Sequence, residues 1–210
     1  MLQQNRLYGV VAALALSLGG CAALVAPALA PAVNPNPTAL KQGAYALDRD
    51  HAALLFKVNH LGFANYVGRF ERFDVSLDFD ADNPEDARVE AVIDMTSLDV
   101  ANDPFAATLM GPNWFDAGQH PEAFFRSTGI EVTGDNTGIL MGDLTMRGVT
   151  NPVTMDVTFN GGAYDRLRGA YVVGLSAVSE IDRREFGVDR FAGLVGNTVK
   201  LEIEAEFLQR

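Results

Sequence analysis

The residues of this chain that could do chemistry are few and scattered. Its three histidines are His51, His60 and His120, and its single thiol is Cys21. None of the histidines stands within one helical turn of another, so the H-E-x-x-H type of metal site is absent. One cysteine makes no disulfide within the chain and no zinc site of several thiolates. There is no G-x-S-x-G nucleophile turn and no convincing carboxylate pair, so no catalytic residue and no metal ligand is assigned. What remains is a set of isolated candidates. His60 could meet a polar head group or serve as a catalytic group inside a cavity, and a hydrogen-bonded core histidine is the plainer reading. Arg147, Arg183 and Arg184 could meet a phosphate, because guanidinium forks match phosphate geometry. Solvated surface charge is the plainer reading of each. Asp103 reads as a helix cap before it reads as an acid.

The elements that would position such residues begin with an address. In MLQQNRLYGVVAALALSLGGC, Arg6 precedes an apolar run from Leu7 to Leu18. That run is short of the roughly 20 apolar residues of a membrane-spanning helix, which is the layout of a secretory signal. LGGC, ending at Cys21, resembles a bacterial lipobox, in which cleavage precedes a lipidated cysteine; a plain cleavage site at APALA is the alternative. Residues 1–20 are therefore read as a signal peptide. Residues 21–43, rich in Ala and Pro, are read as a lipidated cysteine and a semi-extended tether. Ala22 after the cysteine is consistent with the outer membrane of a Gram-negative cell. The expected location is the periplasmic side of a membrane, with a secreted soluble form as the alternative.

From residue 44 to 210 the period is two. Val199, Leu201, Ile203, Ala205 and Phe207 alternate with Lys200, Glu202, Glu204 and Glu206. Val153, Met155, Val157 and Phe159 alternate with Thr154, Asp156 and Thr158. One apolar and one wetted face per strand is the mark of an antiparallel sheet. About eight such strands, several of them about 30 Å long, must close as a sandwich or a barrel. Between them NDPFAATLMG, Asn102 to Gly111, reads as a short helix with Asp103 at its cap and Pro104 in its first turn. Arg147 to Pro152 reads as the break of a hairpin, with Pro152 starting a strand. A formal charge of −11 disfavours nucleic acid and anionic lipid surfaces as partners.

GDLTMRGVTNPVTMDV, Gly142 to Val157, resembles the signature of the YceI-like family of secreted lipid-binding proteins. Tyr45 to Phe70, Val89 to Asp103, Asn113 to Thr128 and Ile181 to Val188 resemble other stretches of that family in the same order. The chain departs from the family where PFAATLMGP follows Asp103 and where Ala52 follows His51. The resemblance implies an all-β fold, an extended lipocalin-like eight-stranded antiparallel β-barrel with a short helical insertion near residues 103–111. It implies non-catalytic binding, storage or transport of a polyisoprenoid or similar amphiphile, such as an isoprenoid lipid or quinone, with no other cofactor. Within that frame, strand parity nominates Phe56, Val58, His60, Phe70, Met141, Val153, Met155, Leu201, Ile203 and Phe207 as cavity lining. Met146 joins them as a flexible filler. His60 and Arg147 are the head-group candidates. An enzyme or stress-response factor using His60, and an outer-membrane barrel, are the competing readings. A monomer or a homodimer is expected.

Overall fold

The computed structural model describes residues 29–80 and 82–210. The signal segment and Cys21 lie outside the described residues.

The strands are β1 (Gly43–His60), β2 (Ala64–Phe70), β3 (Phe73–Phe79), β4 (Arg88–Asp94) and β5 (Leu98–Asp99). After the helix α1 (Asp103–Met110) come β6 (Glu122–Val132), β7 (Thr137–Met146), β8 (Val149–Asp165), β9 (Ala170–Asp182) and β10 (Val195–Gln209). The order β1-β3-β4-β6-β7-β8-β9-β10 returns to β1 through antiparallel pairs, which closes an eight-stranded barrel. β2 continues the line of β3 along the far half of β1, and β5 adds to its outer edge. Closure leaves the long strands no free edge.

Alternation sets the two faces. On β7 the inner positions are Leu140, Gly142, Leu144 and Met146, all buried. On β10 the acids point outward: Lys57 Nζ meets Glu202 at 2.7 Å, and the Ser176 hydroxyl donates to Glu204 at 2.5 Å. An apolar interior with a charged exterior is the reverse of an outer-membrane barrel.

Three sequence expectations need correction. The helix is capped by Asn102, whose side chain accepts from the Phe105 amide at 3.1 Å, so Asp103 is its first residue rather than its cap. Pro152 lies inside β8, paired with Asp143, because the hairpin turn is only Arg147–Gly148, both at positive φ. The missing amide costs nothing there, since β9 joins β8 only from Asp156 onward and leaves that side of Pro152 unpaired. The Ala/Pro-rich tether is docked over its last part. Asn34 exchanges two backbone hydrogen bonds of 3.0 Å with Gly162, Ala39 is buried, and a single 3-10 turn spans Pro37–Ala39.

The two ends of the barrel differ. At one end α1 and the segments around residues 111–120 and 183–195 pack across the opening. Phe186 and Val188 are 1% and 2% exposed there and join Leu98, Val100 and Leu109 in one cluster. Burying a side chain of this size contributes about 1.5–3 kcal/mol. At the other end the barrel is rimmed by the β3–β4 and β6–β7 connections and the 34–40 strap.

Candidate ligand cavity

Inside the barrel is a cavity of about 650 Å³, within the range of small-molecule sites. Inward positions of β3, β4, β7, β8 and β10 supply aliphatic walls, for example Leu77, Val89, Leu140, Val157 and Ile203. Its floor is aromatic. Phe56 and Phe70 sit with ring centroids 6.0 Å apart, and Phe115 meets Phe70 edge-on at 5.9 Å.

Two glycines keep the floor low. A Cβ on Gly68 would lie 2.4 Å from the Phe56 ring, and one on Gly142 would lie 2.4 Å from the Phe125 ring. Each ring therefore lies against bare backbone instead of standing into the bore. Register shifts at Leu47/Ala52, Ser127/Gly129 and Phe159/Gly161 decide which residues face inward. On β6 the inner positions are Ala123 and Phe125 before the bulge and Ile130 after it.

Most of the polar groups of the lining stand at the mouth. Thr38 and Leu40 of the strap, Pro84, and Asp135 to Thr137 surround it. The Asn136 amide donates to the Phe159 carbonyl at 3.1 Å, and the Thr38 hydroxyl donates to Asn36 Oδ1 at 2.8 Å. The strap is pinned by two tyrosines. Tyr171 donates to the Ala39 carbonyl at 2.5 Å and Tyr45 to the Lys41 carbonyl at 2.7 Å. The Lys41 ammonium lies 3.9 Å from the centre of the Tyr171 ring. Burial pushes the Tyr45 hydroxyl up to about 12.

Of the ten lining candidates, Phe56, Phe70, Met155, Leu201, Ile203 and Phe207 stand on the cavity wall, as does Met146. Val58 and Val153 are half-buried and stop short of the wall. Met141 is a correction: it is exposed, because it differs in parity from Leu140, Leu144 and Met146. His60 is a second: it ends β1 beyond a register shift, opposite Val195 and Ala64, exposed and outside the cavity. Arg147 is a third. It sits in the β7–β8 turn at the closed end and donates to the carbonyls of Gly187 at 2.6 Å and Pro112 at 3.3 Å.

Arg183 is 5% exposed and serves the backbone. It donates to the carbonyls of Gly196 at 2.8 Å, Val188 at 2.6 Å, Arg190 at 3.0 Å and Val195 at 3.1 Å. Arg184 pairs with Asp182, and its hydrogen bonds hold that carboxyl down at about 2. His120 packs beside Gly148 at the closed end, its Cε1 3.0 Å from where a Gly148 Cβ would stand.

His51 lies in the β1 bulge on the outer face, its Nδ1 2.9 Å from Asp48. Asp48, His51 and Glu206 offer donor atoms within 4.8 Å of one another. Arg168 already fills the cluster, bonding Asp48 at 2.8 Å, Asp165 at 2.7 Å and Glu206 at 2.6 Å. Burial works against the Arg168 charge, and these carboxylates more than offset it, so its ionisation is raised above the ordinary value. The cluster already has its cation.

A closed eight-stranded antiparallel barrel, charged outside and apolar inside, with a cavity open at one end, defines a lipocalin-like fold. The chain belongs to the YceI-like domain family, whose model matches residues 45–207. It is 32% identical over 168 residues to a UPF0312 protein of Pseudomonas savastanoi pv. phaseolicola, covering 79% of this chain and 86% of that protein. A UPF0312 protein of Pseudomonas fluorescens is 34% identical over 169 residues, covering 77% and 85%. Among solved structures, BcnA of Burkholderia cenocepacia superposes with a TM-score of 0.69 at 22% identity, over 76% of this chain and 98% of that one. A structure from Saccharophagus degradans described as a polyisoprenoid binding domain gives 0.59 at 14% identity, over 79% and 98%.

Proposed function

We propose that this chain binds a polyisoprenoid or a similar long-chain amphiphile in the barrel cavity and stores or carries it without chemistry. The observation that carries this reading is the cavity of about 650 Å³ with its almost wholly apolar wall. Each methylene moved from water into such a space contributes about 0.8 kcal/mol, so a long chain gains affinity along its length. Met146 and Met155 add side chains that adapt to different chains. Among the described residues no histidine or cysteine lines the cavity, which supports binding over catalysis. The description of the Saccharophagus degradans neighbour as polyisoprenoid-binding supports the same ligand class. The signal-like start and the LGGC box support a periplasmic site of action, with Cys21 as a membrane anchor.

The test is native mass spectrometry of the full chain carrying Cys21→Ser, recovered from the periplasm without detergent, followed by organic extraction. A bound species with isoprene mass spacing or another long alkyl chain is expected. A clean apo mass, together with no uptake of added prenyl alcohols or quinones, overturns the reading.

A further inference from the structure

The walls explain why a long apolar chain enters; the mouth bears on what that chain carries. This inference rests on the reading that the cavity holds such a chain. Among the described residues, the cavity lining includes no lysine, arginine or histidine, and its one ionisable member is Asp135, at the rim. The neighbouring β3–β4 connection adds Asp80, Asp82, Glu85 and Asp86. Asp80 accepts from Asn83 and from the Asp82 amide, which holds its carboxyl below the usual range and keeps it charged.

None of the cations near this end lines the cavity, and Arg166 and Arg210 are exposed on the outside. Lys41 lies over Tyr171, Arg49 pairs with Asp74, and Arg168 is held by its three carboxylates. Arg88 is exposed on the outer side of β4, next to inward Val89. The arginines whose chemistry suits phosphate, Arg147, Arg183 and Arg184, sit at the opposite end of the barrel, bonded to carbonyls or to Asp182.

We propose that the cavity selects chains with an uncharged head group and discriminates against the same chain ended by a phosphate. A phosphate at this mouth would lose water beside carboxylates with no cation in the lining to replace it, and a desolvated charge without a partner is costly. An uncharged hydroxyl or amide loses little there. It meets hydrogen-bonding groups already on the rim, the Thr137 hydroxyl and the side-chain oxygen of Asn136, whose amide nitrogen is the part bound to Phe159.

The experiment compares two ligands with one chain, geranylgeraniol and geranylgeranyl monophosphate, titrated into the full chain carrying Cys21→Ser. The alcohol should bind at least about tenfold more tightly, and added salt should narrow the gap by screening the rim acids. Asp135→Lys should raise phosphate affinity relative to alcohol by at least about threefold. Equal or tighter binding of the phosphate overturns the selectivity and leaves the lipid-binding reading standing. An unchanged ratio in Asp135→Lys overturns the role given to the rim charge. Binding of neither ligand overturns both readings together.

Discussion

The closed end and the mouth of this barrel are built from the same strands, yet they solve opposite problems. At the closed end, aromatic rings, the helix α1 and a loop pinned by Arg183 exclude solvent, with Phe186 only 1% exposed. At the mouth, a strap and two loops leave a gap and surround it with hydroxyls, an amide and carboxylates. Each end holds a buried cluster, since Tyr45 and Val173 beneath the strap are 1% and 0% exposed, but only the mouth leaves open apolar lining beside it. Substitutions in the closed end should therefore cost stability alone, and substitutions on the open lining should cost binding first.

The sharpest break should come from Phe186→Ala. Deleting a fully buried ring costs about 3–5 kcal/mol, read as a drop in the denaturant midpoint with little change of slope. Arg183→Met should follow closely. It strips the donors from four backbone carbonyls, and the loss is about 2–4 kcal/mol if the 188–196 segment stays buried. Protection of that segment in hydrogen exchange should fall with it.

Gly142→Ala lies between the two regimes. The added methyl meets the Phe125 ring at 2.4 Å and the Arg126 carbonyl oxygen at 2.6 Å, and because the backbone oxygen cannot swing aside the cost should lie at the upper end of about 1–3 kcal/mol. Phe125 lines the cavity, so displacing it should weaken chain binding as well. At the wall, Ile203→Trp should fill empty space, change stability by less than about 1 kcal/mol and abolish ligand uptake. Loss of folding in that variant would contradict the assignment of real volume to the cavity.

The smallest effect at neutral pH belongs to the strap. Tyr45 titrates near 12 in the folded chain against 10.0 as a free side chain. A raised value means its contribution is complete below pH 10 and is lost as pH rises through 12. An alkaline melting series should show this decline, and Tyr45→Phe should flatten it.

Much of the barrel was legible because a period of two survives in long strands. β10 reads correctly from Val199 to Phe207 since no bulge interrupts it. Met141 was misread although the signal was present: Met146 and Met141 differ in parity, and only one of them shares a face with Leu140 and Leu144. The bulges at Thr128 and Asn160 are each followed by a glycine, Gly129 and Gly161, which marks a bulge, but strand parity alone carries straight through them and hides the flip from Phe125 to Ile130. His60 followed the parity of Phe56, but parity does not say where the barrel wall ends. The rim was missed for another reason. Gly134 to Gly138 reads as turn chemistry, and nothing local says that the turn overlooks a cavity. The strap was hidden by composition, because alanine and proline look the same in a free linker and in a docked one.

That strap also makes the barrel a mechanical device. Load applied to the chain before Asn34 reaches the protein first at the two hydrogen bonds with Gly162. Next in line come the single contact of Tyr171 with the Ala39 carbonyl and the seat of Leu40 on the rim. These would peel in sequence, like a zip, while the interstrand ladders of β1 and β10 must shear together. Tension on the N-terminus would thus uncover the mouth well before it threatened the barrel, which would make the strap a latch.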